Sequence, residues 1–268
     1  MMNSQILGFL NTAPIWKKIE FGITQFEFPN LELDSFQPVE IPNNRRLGHQ
    51  MEFVFKQLIE HSNDYELILY NLPIRNKERT LGEIDFILKH IKSNQWIHVE
   101  LTYKFYLLDP EIKNPIHRLI GPNRKDRFFD KMKKIKKEQF TLLHTESGAK
   151  ALAKYQIDYL KIKHQSCFKA QVFTPYHQKK IDLGLLNKNS ISGYWLKLSE
   201  FTTINFSHEQ FFIPLKINWV IAPHKEVSWK SYQEILAEIK LKLKENRAPM
   251  IWKKINENEF EKFFVVWW

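Results

Sequence analysis

The feature that most constrains the fold is a pair of segments in which apolar and polar residues alternate. Residues 82–89 read GEIDFILK, residues 96–107 read WIHVELTYKFYL, and the polar stretch HIKSNQ separates them. Strict alternation is typical of β-strands because successive side chains point to opposite faces of a sheet. Two such strands joined by a short polar connection predict an antiparallel hairpin.

The apolar residues of the two strands determine how the strands pair, because a shift of one residue would invert every side chain. If residues 90–95 form the turn, Lys89 pairs with Trp96 and Asp85 lies opposite Glu100. Opposed carboxylates repel each other and need a cation or a shared proton. Since Mg²⁺ prefers carboxylate oxygens, this pair predicts a magnesium site. The alternative is that both carboxylates lie on the solvated face of a hairpin.

Other polar side chains are placed to join this site. Lys104 lies on the same face as Glu100 and is suited to stabilising developing negative charge. His98 lies on that face as well and is a candidate for supporting Glu100. A helix predicted over residues 45–61 carries Glu52 at the edge of its apolar stripe. We expect this helix to cover the carboxylate face and Glu52 to supply a third carboxylate.

Positive charge is concentrated in one part of the chain. The formal net charge is +10, and residues 113–137 contain ten Lys or Arg against two Asp. A clustered excess of this kind is typical of a surface that faces a polyanion such as nucleic acid. A helix predicted over residues 124–143 would carry most of these charges, with Gln139 on its inward-facing stripe. A solvated helix face is the alternative.

The remaining pattern predicts an α/β protein. Helices are expected at residues 4–9, 149–163 and 229–246, and strands at residues 65–70, 169–174, 193–198 and 211–221. The character changes near residue 188, which predicts a core over residues 1–188 and an extension over residues 189–268 packed on it. A single cysteine and the absence of a signal peptide or a long apolar run favour a soluble cytoplasmic protein with no membrane partner.

Five segments of the chain resemble the domain-of-unknown-function family 1853. They are NRRLGHQMEFVF, RTLGEIDFIL, HVELTYKFYL, GPNRKDRFFDKM and the terminal FFVVWW, and the resemblance runs over nearly the whole chain. That family is similar in layout to the PD-(D/E)XK nuclease superfamily. The resemblance therefore implies a restriction-endonuclease-like αβββαβ core with a C-terminal α+β extension, which agrees with the order of the predicted elements.

The resemblance also implies roles for individual residues. It implies that Glu52, Asp85 and Glu100 bind Mg²⁺ or Mn²⁺ and that Lys104 is the catalytic lysine. The superfamily pattern places this lysine at position 102, which is Thr102 here, and Lys104 lies about 7 Å further along the strand. The basic helix is expected to bind nucleic acid. The residues assigned to that contact are Arg124, Lys131, Lys134 and Lys137, with His98 and Gln139 as support for the active site.

The function expected from these observations is that of a magnesium-dependent nuclease or phosphodiesterase acting on nucleic acid. The alternative is a catalytically inactive module of the same fold that binds nucleic acid or a protein partner. A third interpretation is a structural partner whose basic face only keeps it soluble. Metal binding at the carboxylates separates the first from the other two, and salt-dependent affinity for a polyanion separates the second from the third.

Overall fold

The computed structural model describes residues 4–77, 79–178, 183–224 and 226–268. The α-helices in these residues are α1 (Ser4–Asn11), α2 (Leu47–His61), α3 (Phe128–Lys134), α4 (Phe140–Leu142), α5 (Glu146–Ala153), α6 (Thr203–Phe206) and α7 (Tyr232–Lys244). The strands are β1 (Ile19–Glu20), β2 (Ile23–Thr24), β3 (Tyr65–Asn76), β4 (Arg79–His90), β5 (Gln95–Leu108), β6 (Leu119–Ile120), β7 (Lys163–Pro175), β8 (Ile191–Lys197), β9 (Gln210–Phe212), β10 (Met250–Lys254) and β11 (Phe260–Val266). No helix in this part of the chain is long and apolar enough to cross a membrane.

The chain divides into two compact units. Unit 1 contains residues 14–103 and 130–169, and unit 2 contains residues 4–13, 104–129 and 170–268. Strands β5 and β7 begin in unit 1 and end in unit 2. This division differs from the predicted boundary near residue 188 because residues 104–129 and 170–188 group with the C-terminal strands.

Unit 1 contains the predicted hairpin. Strand β4 pairs antiparallel with β3 on one side and with β5 on the other. The predicted register is confirmed, since Lys89 pairs with Trp96. Strand β7 lies next to β5. The contacts between His98 and His164 and between Glu100 and Ser166 keep a constant offset of 66 residues, as in a parallel pair.

Helix α2 packs on the apolar face of the hairpin. The Phe55 and Phe86 rings lie 4.5 Å apart between centroids, and both residues are fully buried. The expectation that this helix covers the carboxylate face is wrong for Glu100, because its carboxylate bonds Gln139, which lies between α3 and α4. Ile87, on the other side of β4, is buried in a cluster with Leu142 and Leu143. The segment that contains α3 and α4 thus lies on the carboxylate side.

The basic helix begins later than predicted. Arg124 has a φ of 56°, and its N–H donates to the carbonyl of Gly121 at 2.8 Å, so this residue belongs to a turn. The helical segment starts at Phe128 and includes a π-helical turn, Ile135–Gln139, between α3 and α4. Such turns inside α-helices are frequent at functional sites.

The helix predicted over residues 149–163 is shorter than expected. Helix α5 is capped by Thr145, whose hydroxyl accepts from the N–H of Gly148 at 3.0 Å, and it ends at Ala153. Strand β7 accordingly starts at Lys163, six residues before the predicted strand. This earlier start puts His164 and Ser166 on the strand next to β5.

Unit 2 is built on strands in the order β7-β8-β11-β10-β9. Strands β8 and β11 are parallel, and β10 pairs antiparallel with β11 and β9, so the sheet is mixed. Ile235 and Ile239 of α7 are buried in the core of this unit. The predicted strand over residues 211–221 is mostly wrong, because Pro214 lacks an N–H and a 3₁₀ turn follows at Lys216–Asn218.

The packing of α2 generates a stability prediction. We expect Phe55→Ala to lower the free energy of unfolding by about 3–5 kcal/mol, because the substitution leaves a cavity between the helix and the sheet. Chemical denaturation measures the change. Lys56→Ala, on the same helix, is the matched control and should change stability by no more than about 0.5 kcal/mol. Equal losses in the two variants would contradict the assigned packing.

Candidate functional site

The site begins where the β4–β5 ladder stops. Backbone pairing runs from His90↔Gln95 to Phe86↔Val99. At the next position the Asp85 carboxylate accepts from the backbone N–H of Leu101 at 2.9 Å. A side-chain oxygen of β4 therefore bonds the backbone of β5, and this bond places Asp85 beside Glu100.

Glu100 is fully buried and held at both carboxylate oxygens. His98 Nε2 lies 3.0 Å from Oε1, and the amide of Gln139 donates to Oε2. The backbone carbonyl of Glu100 accepts from the Ser166 hydroxyl at 3.1 Å. These contacts fix the orientation of the side chain, and they come from β5, β7 and the π-helical turn.

Burial makes both carboxyl groups weaker acids than usual. It raises the pKa of Glu100 to about 8, and it raises the pKa of Asp85 well above its ordinary value of 3.8. The charge of Glu100 raises the pKa of Asp85 further. The positive charge of Lys131 acts in the opposite direction on both pKa values, but burial outweighs it. The pair therefore favours either a shared proton or an additional cation.

Glu52, the third predicted ligand, lies near the pair but bonds a histidine of its own helix. Glu52 on α2 lies 3.2 Å from His49 Nδ1, and burial raises its pKa. Its charge acts on both Asp85 and Glu100. Across the described ranges, no group of three or more His, Cys, Asp and Glu side chains is already arranged to hold a metal ion. The structure thus brings Asp85 and Glu100 together and leaves Glu52 bonded to its own helix.

The chemistry of the site fits a hard divalent ion such as Mg²⁺ or Mn²⁺. The fully buried Glu100 and the partly buried Asp85 supply adjacent oxygen ligands. The hydroxyl of Thr102 is buried and has no hydrogen-bond partner among the residues that the structure describes. Since buried hydroxyls are almost always bonded, this orphaned group on the strand of Glu100 is consistent with a missing polar ligand.

Tyr70 is a neighbour of the site that the sequence did not single out. Its ring stacks on Phe86 with centroids 5.2 Å apart. Burial and the charges of Glu52 and Asp85 raise its pKa to about 12. The phenol therefore stays protonated and can donate a hydrogen bond. Its strand position relative to Phe86 is visible only once the β3–β4 register is known.

The lysines are distributed differently from the prediction. Lys104 belongs to unit 2, where its ammonium donates to Asp126 at 2.8 Å. In unit 1 the charge of Lys131 acts on all three carboxylates, and its ammonium donates to Gln139 at 3.0 Å. Lys131 therefore lies on the inner side of its helix, where it was predicted to face nucleic acid. Its spacing of four from the buried Ile135 is the signal that could have shown this.

The residues predicted to bind nucleic acid do not all lie on one helix. Lys134 and Lys137 are exposed on α3 and the π-helical turn. Arg124 belongs to unit 2 and not to this helix. Its guanidinium lies 4.5 Å from the centre of the Trp268 ring, and one of its nitrogens lies 3.9 Å from Asp109. Stacking and ion pairing account for its position.

Two further histidines extend the site along unit 1. His164 on β7 lies between His98 and His144, with nitrogen–nitrogen distances of 3.0 Å and 2.9 Å. Burial lowers the pKa of His98 to about 3 and that of His164 to about 4, so both rings are neutral. Sequence reasoning missed His164 because the start of β7 was placed too late, and it missed His144 because this residue lies in a turn whose contact with β7 the pattern does not show.

Comparison with known proteins identifies the family. The model of the family described as domain of unknown function (DUF1853) matches residues 22–266, and the chain belongs to this family. Searches of curated proteins and of solved structures gave no significant match.

The raised pKa values generate a prediction of pH dependence. Folding raises the pKa of Glu100 from 4.5 to about 8, so the folded protein binds protons more tightly than the unfolded chain over this interval. Without divalent ions, the free energy of unfolding should therefore fall as pH rises from about 5 to about 8, by about 1 kcal/mol or more. Glu100→Gln should flatten this dependence. Denaturation in EDTA measures it, and identical slopes for both proteins would contradict the assigned burial.

Proposed function

We propose that this DUF1853 protein is a metal-dependent phosphodiesterase that cleaves nucleic acid. The observation that carries the proposal is the placement of Asp85, whose carboxylate accepts from the N–H of Leu101, beside the fully buried Glu100; burial raises the pKa of both carboxyl groups. A pair of this kind destabilises the fold unless it is neutralised, so its presence in a covered site supports a functional role.

We further propose that unit 1 is a PD-(D/E)XK-like core. Its elements follow the order α2, β3, β4, β5, a helical segment and β7. Strands β3, β4 and β5 are antiparallel neighbours, and β7 runs parallel to β5 on the other side. This arrangement agrees with the αβββαβ order of the superfamily and supports the proposal.

In the proposed mechanism Asp85 and Glu100 would hold the ion, and Glu52 would complete the set of carboxylates. When bound, the ion polarises the scissile phosphate and lowers the pKa of a water molecule. Gln139 and His98 keep Glu100 oriented through their hydrogen bonds. Lys131 supplies positive charge beside the carboxylates, where developing negative charge on the phosphate would be stabilised. The full burial of Glu100 and His98 strengthens the electrostatic interactions of these two groups.

The alternative is a catalytically inactive nucleic-acid-binding module. The observation that favours it is Thr102, which occupies the position where the superfamily pattern has a lysine. The ion pair between Lys104 and Asp126 favours it as well, because it engages the predicted catalytic lysine. Cleavage assays separate the two functions directly.

The metal ligands generate the first test of activity. Asp85→Asn should abolish cleavage of DNA or RNA in Mg²⁺ or Mn²⁺, because the side chain keeps its shape and loses its charge. Glu83→Gln, which removes an exposed carboxylate from the same strand, should retain activity. Absence of cleavage by the wild-type protein, together with no effect of either ion on its melting temperature, would leave only the binding module.

The lysines generate the second test. Lys131→Ala should lower turnover by about 100-fold while metal affinity stays within a few-fold of wild type, since the lost charge acts on the transition state. Lys104→Ala should lower turnover less. Steady-state kinetics and calorimetric titration with Mn²⁺ measure the two effects. The opposite order of turnover would assign the charge-stabilising role to Lys104.

The exposed lysines generate a test of binding. The double variant Lys134→Gln/Lys137→Gln should weaken affinity for duplex DNA in EDTA and reduce the slope of log affinity against log salt by about 2, because two phosphate contacts are lost. Lys150→Gln/Lys154→Gln removes the same charge from another exposed part of unit 1 and should leave the slope unchanged. Equal slopes for both double variants would show that the helix does not bind phosphate.

A further inference from the structure

Three histidines connect Glu100 with the surface of unit 1. The first, His98, has Nε2 3.0 Å from the carboxylate and Nδ1 3.0 Å from Nδ1 of His164. His164 continues the chain through its Nε2, which lies 2.9 Å from Nε2 of His144. Each inner ring thus uses both of its nitrogens, one toward Glu100 and one toward solvent.

Exposure increases steadily along this chain. His98 is fully buried, His164 is partly buried and His144 is exposed. Phe140 stacks on His164 with centroids 4.9 Å apart and meets the edge of His98 at 5.7 Å. The aromatic ring therefore shields the inner part of the chain, and the hydrogen bonds follow one defined route.

The hydrogen bonds couple the tautomers of the three rings. A neutral imidazole has one N–H donor and one nitrogen acceptor. If His98 donates to Glu100 through Nε2, its Nδ1 must accept from His164, whose Nε2 must then accept from His144. The tautomer of one ring therefore sets the tautomer of the next. The exposed end of the chain influences the orientation of a buried carboxylate in this way.

We propose that His98, His164 and His144 are positioning residues that hold Glu100 in the orientation in which it binds a divalent ion. The inference rests on the proposed function, because it names supporting residues for the same metal ligand. Partners that orient metal ligands are typically worth about 10-fold to 100-fold in metal affinity. A chain that served only to fill space would not need polar rings in a buried position, where apolar side chains cost less.

The experiment compares two replacements of the central ring in the full-length protein. His164→Phe keeps the stacking on Phe140 and removes both nitrogens, whereas His164→Gln keeps one donor and one acceptor. We expect His164→Phe to weaken Mn²⁺ binding by about 10-fold, and His164→Gln to recover most of the loss. Calorimetric titration measures the affinity. His90→Gln is the control, because His90 bonds Ser93 and is not one of the three connected histidines. Its affinity for Mn²⁺ should equal that of wild type.

A measurement without metal tests the hydrogen bonds between the histidines themselves. In ¹⁵N-labelled wild-type protein, NMR should detect scalar coupling between the Nδ1 nitrogens of His98 and His164 across their hydrogen bond. The coupling should be absent in His164→Gln. His144→Ala removes the exposed end, which is not part of the core, and should weaken Mn²⁺ binding in the same direction by less. This variant provides the affinity comparison if His164→Phe does not fold.

The outcomes distinguish the inference from the proposed function. If His164→Phe and His144→Ala bind Mn²⁺ as tightly as the wild-type protein, the positioning role is overturned and the proposed function stays in place. Absence of the coupling in wild-type protein would show that His98 and His164 are not hydrogen-bonded and would overturn the inference. Wild-type protein that binds no Mn²⁺ would overturn both the proposed function and the inference.

Discussion

The proposed site of unit 1 depends on two carboxylates that lie side by side at the end of a β-ladder, with Glu100 fully buried and Asp85 partly buried. Asp85 bonds the backbone of β5 where the pairing of β4 and β5 stops, and Glu100 lies beside it with both oxygens engaged. Burying two like charges is costly, and removing the proton or the cation that offsets them makes the cost larger. The surrounding hydrogen bonds orient these groups but do not neutralise them. A function that uses negative charge explains why the pair is present.

The two sides of the hairpin serve different purposes. Helix α2 packs Phe55 on Phe86 and stabilises the sheet, while its Glu52 lies at the edge of the buried surface. The helical segment on the other side brings Gln139 to Glu100 and Lys131 to Gln139. The π-helical turn lies in this segment, and it ends at Gln139. An irregular helix therefore contributes polar groups to the site, whereas the regular helix contributes packing.

Alternation in the sequence was sufficient to predict the hairpin register, because a shift of one residue would invert the faces of the two strands relative to each other. The position of α2 relative to Glu100 was predicted wrongly, since a carboxylate at the edge of a stripe does not show which face its helix covers. The role of Lys131 was also predicted wrongly from one property. Its charge suggested a contact with nucleic acid, although its side chain lies on the side of the helix that faces the sheet. His164 and His144 could not be predicted, because their partnership depends on a strand boundary and on contacts between distant parts of the chain. Arg124 was misplaced because a turn with positive φ leaves no signal in the charge pattern.

The central proposal is that Asp85 and Glu100 form a site that binds a divalent cation. The most direct measurement is a carboxyl ¹³C NMR titration of Glu100 in the full-length protein, with and without Mg²⁺. We expect a pKa near 8 in the absence of the ion, because burial disfavours the charged carboxylate, and a pKa well below 4.5 when the ion is bound. An ordinary pKa near 4.5 without metal, or a raised pKa that Mg²⁺ does not lower, would contradict it.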